Sequence, residues 1–497
     1  MDAEQLARIQ FALTVGFHFF FPSITIGLAG LIVILETLRA RTGREVYDRA
    51  AGFWTRIFAL TFAVGVATGI VMEFQFGTNW ASYSAFVGDI FGSPLAAEGI
   101  FAFFLESVFL GLLLFGRDRI SSRVRWFAAL MVFIGTLLSA VWILIANSWM
   151  QTPAGYQVID GQARLTDFFA AALNPSTVPR YLHTVASALT AGSFVMLGVS
   201  AWYVLKTKHL DVAKVCLPIA LVAAFVGSGL MFATGDISSQ QVAATQPAKF
   251  AGINALYETT TGVPLTIPLV PPTQDLANAE PGPRIEIGGL LSFLTYRDAN
   301  ASITGLEEFP ADEWPPITIT WSAYHLMVLL GTVMLLVMLF GAWFLWRGTV
   351  WRRSTWLRLA VLATPLPLIA IQLGWTTAEV GRQPWIVYGV MRTSDGVSKV
   401  VPAEQVALSL GLLVAMYVLL GGLWLYLVRK ELGHGPAPAP GAAPPVGEMR
   451  PETPPETPPE TPAPGETPPP VETPPPGETP PPVETPSEAA HAAPSAG

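Results

Sequence analysis

Three of the six histidines in this 497-residue chain, His18, His183 and His325, stand inside apolar stretches, where an imidazole finds few partners except other buried side chains or a metal. Met327, Glu98, Glu106 and Glu379 lie in similar surroundings, and Arg382 follows Glu379 by one helical turn. Imidazole and thioether are the axial donors of haem iron, and a carboxylate in hydrocarbon serves as a ligand or a proton carrier. A lone histidine in a membrane helix ordinarily bonds a neighbouring helix. Three near one face, with methionine and carboxylates beside them, favour cofactor binding instead. Zinc fits less well, since the soft donor is methionine rather than cysteine. The single cysteine, Cys216, excludes an internal disulfide, and no Cys-x-x-Cys-His run offers covalent attachment. Any haem is therefore held by side chains alone.

The elements that must position these groups follow from composition. Hydrophobic residues make up 52% of the chain and charged residues 13%, which excludes an ordinary water-soluble domain and predicts an all-α polytopic membrane protein. Nine stretches are long enough to span a bilayer, near residues 11–38, 52–74, 95–116, 125–147, 183–206, 215–235, 321–346, 357–375 and 404–429. The first is not a cleaved signal peptide: Asp2 and Glu4 precede it, its apolar core is too long, and it contains His18.

Lys and Arg collect in alternate loops: Arg39, Arg41, Arg44 and Arg49; Arg117, Arg119, Arg123 and Arg125; Lys206, Lys208 and Lys214; Arg347, Arg352, Arg353 and Arg358; Arg429 and Lys430. Positive loops stay in the cytoplasm, so the N-terminus is expected outside and the C-terminus inside. In that orientation His18 lies about two turns into the first helix, and His183 and Glu98 start the fifth and third. Met327 sits near the outer end of the seventh helix and Glu379 ends the eighth. All approach the outer leaflet. Glu106, eight residues beyond Glu98, should lie about 12 Å deeper and carry protons as a protonated carboxyl, with Ser139 as companion. A structural hydrogen bond between helices is the competing role for Glu106.

The chain divides into helices one to six (1–235), an outer loop (236–320), helices seven to nine (321–430), and a Pro/Glu/Thr-rich tail (431–497) expected to be disordered in the cytoplasm. His209, His434 and His491 fall in an inner loop or this tail and should be solvated.

Two motifs carry a family resemblance. Ser93-Pro94-Leu95-Ala96-Ala97-Glu98-Gly99-Ile100-Phe101-Ala102-Phe103-Phe104-Leu105-Glu106 and Gly374-Trp375-Thr376-Thr377-Ala378-Glu379-Val380-Gly381-Arg382-Gln383-Pro384-Trp385 resemble subunit I of the cytochrome bd terminal oxidases, over roughly residues 1–430. The resemblance implies two four-helix bundles plus a peripheral helix, and two haems b and one haem d. It matches His183 and Met327 to the low-spin haem ligands and His18 and Glu379 to the high-spin ligands, and leaves open which high-spin haem takes which. It also matches Glu98 to a further carboxylate, Arg382 to a propionate partner, and Trp375 to a cofactor contact. The implied reaction is quinol oxidation at the outer face and reduction of oxygen to water with protons from the cytoplasm. The implied setting is the prokaryotic inner membrane, with a homologous subunit II, a small single-helix subunit and lipid as partners, and no nucleic acid.

Two positions depart from the family pattern. The quinol loop keeps its lysine as Lys249 but has Asn254 where a glutamate belongs; Glu258, four residues on, would share its face if the stretch is helical. His325, in Tyr324-His325-Leu326-Met327, replaces an arginine and is expected beside the low-spin haem rather than on its iron. A bd-like redox protein with another donor, and a proton-coupled transporter, are the alternative functions.

Overall fold

A computed structural model describes residues 1–116, 119–268 and 284–438. Among these, nine helices are long and apolar enough to cross a membrane: α1 Ala3–Thr42, α2 Glu45–Thr78, α3 Ala81–Phe115, α4 Ser122–Gln151, α5 Thr177–Leu205, α6 Leu210–Thr245, α7 Ile317–Trp346, α8 Ser354–Val380 and α9 Ala403–His434. Each coincides with one of the nine expected stretches, two of which, 95–116 and 183–206, run one residue past the helix end. Arg117 and most of the proline-rich tail lie outside the described residues. The tail boundary expected at 431 shifts, because α9 continues through His434.

Local chemistry sets the ends. Asp2 caps α1 by accepting from the Gln5 amide at 2.8 Å, and Gly43, at φ 66°, closes it with its N–H on Arg39 O. Ser121 caps α4. In α3, Pro94 lacks the N–H that would bond one turn back, and four residues later the helix widens into a π-helical segment, Glu98–Phe103. In α8, the turn at 363–365, ending in Pro365, separates Ser354–Leu362 from Leu366–Val380.

Helices α1 and α5 form the centre, with about two-thirds of their apolar windows buried, and α9 is the least covered at 17%. In hydrocarbon no hydrophobic force joins helices, so close packing of small residues does. Gly27 and Gly192 are the clearest case: a Cβ on Gly27 would stand 2.4 Å from Ala188 O, and one on Gly192 would stand 2.5 Å from Gly27 Cα.

One end of the nine helices, the basic end, carries the Lys and Arg clusters. Several of those cations are structural. Glu36 is buried between Arg39 (2.7 Å) and Arg125 (2.8 Å), Arg125 also reaches Asp48 (2.5 Å), and Arg56 holds Glu431 of α9 at 2.5 Å. The opposite, loop end carries the long connection between α6 and α7. That connection starts at Gln246 rather than 236, since α6 runs to Thr245. It contains a short helix, Pro247–Asn254, and two antiparallel strand pairs, Thr260–Thr261 with Ser302–Ile303 and Leu265–Pro268 with Arg284–Ile287.

The longer helices revise several depths. His18 is 15 residues from the start of α1, four turns rather than two, and Glu98 is 17 residues into α3 rather than at its start. His183 lies six residues into α5.

Candidate functional site

His18 and His183 have matching surroundings on separate helix pairs. His18 Nδ1 is 3.0 Å from Thr68 Oγ1 on α2, and His183 Nδ1 is 3.0 Å from Thr234 Oγ1 on α6. Each threonine is followed by a glycine that lets the ring lie against the helix backbone. A Cβ on Gly69 would stand 3.2 Å from His18 Cε1, and one on Gly235 would stand 3.4 Å from His183 Cε1.

The register of α6 and α7 sets the level of Met327. Tyr324 hydrogen-bonds Ser239, and the Cβ position of Gly331 lies 3.8 Å from the Phe232 ring. Running antiparallel between those contacts, Met327 comes opposite the Thr234–Asp236 stretch, the level of His183. Met327 Sδ also lies 2.9 Å from the Cβ position of Gly374 on α8. Two residues earlier, Gln372 Nε2 donates to Gly16 O at 2.8 Å, half a turn from His18. Two residues of helix rise about 3 Å. Because α1 and α8 run antiparallel, the two residues from Gly16 to His18 add to this, and the His18 and Met327 levels differ by about 6 Å, roughly one helical turn.

Toward the loop end, Glu379 is enclosed by cations and amides. Arg382 reaches its Oε2 at 2.7 Å and Arg180 its Oε1 at 3.5 Å, while Asn147 (3.1 Å) and Gln151 (3.2 Å) donate to Oε1. Lys249 is 3% exposed, with Nζ 3.0 Å from Gln151 Oε1, 3.1 Å from Gln246 Oε1 and 2.7 Å from Ala378 O. Three acceptors suit an ammonium. Burial, then the nearby Arg180 guanidinium, push its pKa well below the usual lysine range, with Glu379 opposing.

The carboxylates of α3 face α4. Ser139 Oγ donates to Glu98 Oε1 at 2.7 Å, inside the π-helical segment. Glu106 is 6% exposed, and its Cγ fills the space a Cβ on Gly135 would need, at 2.6 Å. Ser139 and Gly135 are one turn apart, about 6 Å along α4, so the two side chains meet α4 at closer levels than the expected 12 Å.

Other expected residues are placed apart. The short helix ends at Asn254, whose side chain bonds Phe250 O at 2.9 Å, and Ala255 turns the chain at φ 52°. Glu258 is outside that helix and exposed, so the condition for its sharing a face with Asn254 is not met. His325 stacks on Trp321 at 4.2 Å, with Nδ1 on Trp321 O at 3.0 Å and a further hydrogen bond to the Thr266 backbone, which ties it to the loop. Trp375 is half-buried on α8, one residue after Gly374.

Several site residues were missed from sequence: Thr68, Thr234, Gln372, Arg180, Asn147 and Gln151. Only Arg180 left a signal, a charge three residues before His183 at the head of an apolar helix. Polar side chains acting across helices have no local pattern.

The donors fit haem. Nδ1 of His18 and of His183 is engaged by a threonine, which leaves Nε2 as the candidate metal donor, a thioether stands at the level of His183, and the glycines leave flat walls. The cluster around Glu379 sets three cationic side chains against one carboxylate, and Arg382 Nη1 and Arg180 Nε are buried without a hydrogen-bond partner. Haem propionates are anions that would satisfy both.

Such a fold and site define a multi-pass membrane protein whose buried donors fit haem. The chain belongs to the cytochrome bd terminal oxidase subunit I family, whose model matches residues 6–436. It is 37% identical to cytochrome bd ubiquinol oxidase subunit 1 of Bacillus subtilis over 88% of this chain and 94% of the relative. It is 32% identical to cytochrome bd-II ubiquinol oxidase subunit 1 of Escherichia coli over 88% and 97%. A chain in the structure of bd oxidase from Geobacillus thermodenitrificans superposes with a TM-score of 0.81 at 30% identity, over 88% of this chain and 99% of that one.

Proposed function

We propose that this chain is the haem-bearing subunit of a water-forming quinol:oxygen oxidoreductase. It binds two haems b and one haem d near the loop end of its helices. The family supports the activity, and the observation that carries the assignment of residues is that Met327 stands opposite the His183 stretch and His18 lies within about one helical turn of them in depth, beneath a buried excess of cations.

In this reading His183 and Met327 hold the low-spin haem and His18 a high-spin one. Bound haem supplies the electron relay and the oxygen-binding iron. Glu379 would be the remaining iron ligand, its carboxylate oriented by Arg382 at Oε2 and by Asn147, Gln151 and Arg180 at Oε1. Arg382 and Arg180 pair with propionates, and Trp375 packs at the cofactor. His325 supports the low-spin side from its place between Trp321 and the loop.

Oxygen reduction consumes four electrons and four protons. Glu106 and Glu98, meeting α4 one turn apart with Ser139 between helices, form the proton route from the basic end, taken as cytoplasmic. Lys249 anchors the short helix Pro247–Asn254 to α8 through Ala378 O, linking the quinol-binding loop to the cofactor cluster. With its three bonds made, it acts on quinol through that helix rather than as a free ammonium. Glu258 stands at the exposed edge of the same loop. The transporter alternative has no support from the family, and an unrelated electron donor has none from the relatives' names.

The chain is placed in the bacterial inner membrane beside a homologous subunit II and a small single-helix subunit. Two four-helix bundles with α9 at the periphery agree with the burial of α1 and α5 and the exposure of α9.

Pyridine haemochrome analysis of the purified complex should return two haems b and one haem d, with oxygen uptake driven by added quinol. A colourless complex, or uptake indifferent to quinol, would sink the proposal.

A further inference from the structure

Two distant parts of the chain repeat one arrangement. His18 is followed nine residues later by Gly27, and His183 nine residues later by Gly192; these two glycines are where α1 and α5 touch. On the next helix each histidine meets a Thr-Gly pair, Thr68-Gly69 and Thr234-Gly235.

The hydroxyl protons settle the direction of the two bonds. Thr68 Oγ1 lies 2.9 Å from Val64 O, and Thr234 Oγ1 lies 2.7 Å from Leu230 O, each one turn back on its own helix. A carbonyl can only accept, and a hydroxyl has one proton to give, so that proton is committed to the backbone. The lone pairs of Oγ1 then face the ring, each ring also donates to a backbone carbonyl of the same neighbouring helix, Gly65 O for His18 and Met231 O for His183, and with acceptors on this side Nδ1 carries the hydrogen. This fixes the tautomer with the lone pair on Nε2, the nitrogen a metal needs.

We infer that Thr68 and Thr234 are paired positioning residues, each joining a backbone carbonyl of its own helix, Gly65 O or Met231 O, in setting the metal-binding tautomer and ring plane of the facing histidine, so that one cradle built twice serves two haems. The inference rests on His18 and His183 as haem ligands. A hydroxyl is a neutral, weak acceptor. It orients the imidazole without giving it the anionic character that a carboxylate partner would, and so favours reduced iron.

The test is potentiometric titration of each haem spectrum in the purified complex, with haem content counted in parallel. Thr234→Val keeps the shape and removes the acceptor. It should raise the midpoint potential of the low-spin haem and leave the haem held by His18 unmoved, and Thr68→Val should do the reverse. Thr→Ser at either position should restore the parent value. Fully loaded valine variants with unchanged potentials, or both shifting the same haem, would overturn the inference. If a valine variant loses haem, its serine counterpart must retain it at the parent potential; loss in serine too would show that the methyl, not the hydroxyl, matters. His183→Ala with an intact low-spin spectrum would instead defeat the ligand assignment itself.

Discussion

At the scale of single residues, the site is a matter of satisfied and unsatisfied donors. Nδ1 of His18 and of His183 is occupied by a threonine, while Arg382 Nη1 and Arg180 Nε are buried and without a partner. Buried orphans of charged groups cost on the order of a few kcal/mol, and an anion placed against these two would remove that cost. The ligand assignment gives a direct expectation: His183→Ala or Met327→Leu should abolish the low-spin signal in reduced-minus-oxidised spectra of a folded protein. An unchanged spectrum would show the relay to be elsewhere. His18 and His183 stood out in the sequence because an imidazole amid apolar residues is conspicuous, whereas Met327, one of 12 methionines, was singled out through the family motif. Thr68 and Thr234 were not, since threonine bonding its own helix backbone is ordinary in a membrane segment.

At the scale of elements, the decisive features are the interruptions. The π-helical segment of α3 begins at Glu98, and the chain leaves α8 just beyond Glu379, so irregular backbone coincides with the carboxylates. The short helix Pro247–Asn254 is fixed to the end of α8 by Lys249. Because the folded state holds the Lys249 pKa well below the unfolded value of about 10.4, the unfolded chain binds more protons between those two values. Stability should therefore rise with pH through that window. Lys249→Met should flatten the rise, measured as the thermal unfolding midpoint of the detergent-solubilised complex against pH; an equally steep slope in the variant would contradict the assigned cause. Nine apolar stretches were legible, but their ends were not: polar and amphipathic turns extend α1 toward Ala3 and α3 back to Ala81, and a hydropathy window stops where apolar residues thin out.

At the scale of the whole molecule, charge asymmetry sets the expected topology. Arg39, Arg125 and Arg56 are consumed by Glu36, Asp48 and Glu431, yet they share their end with exposed cations of the same loops. Cys216 is buried, so the parent protein gives little background to a thiol reagent. In intact cells a membrane-impermeant maleimide should label Ser302→Cys in the loop between α6 and α7 and spare Thr207→Cys in the basic loop between α5 and α6. The reversed pattern would place both termini on the other sides. Tail residues 439–497, with their Glu-Thr-Pro repeats, are expected to contribute no chemistry.

The sequence by itself determined the solvent, the number of spanning helices, the donor types and the family, because each follows from local composition or a contiguous motif. Tertiary structure alone decided that Met327 stands level with His183, that Arg180 and Lys249 converge on Glu379, and that Glu106 meets α4 one turn from Glu98. Those facts depend on the register between helices that lie from about 30 to about 200 residues apart in the chain. Register is set by where glycines such as Gly27 and Gly192 let backbones touch, which no periodicity within one helix encodes.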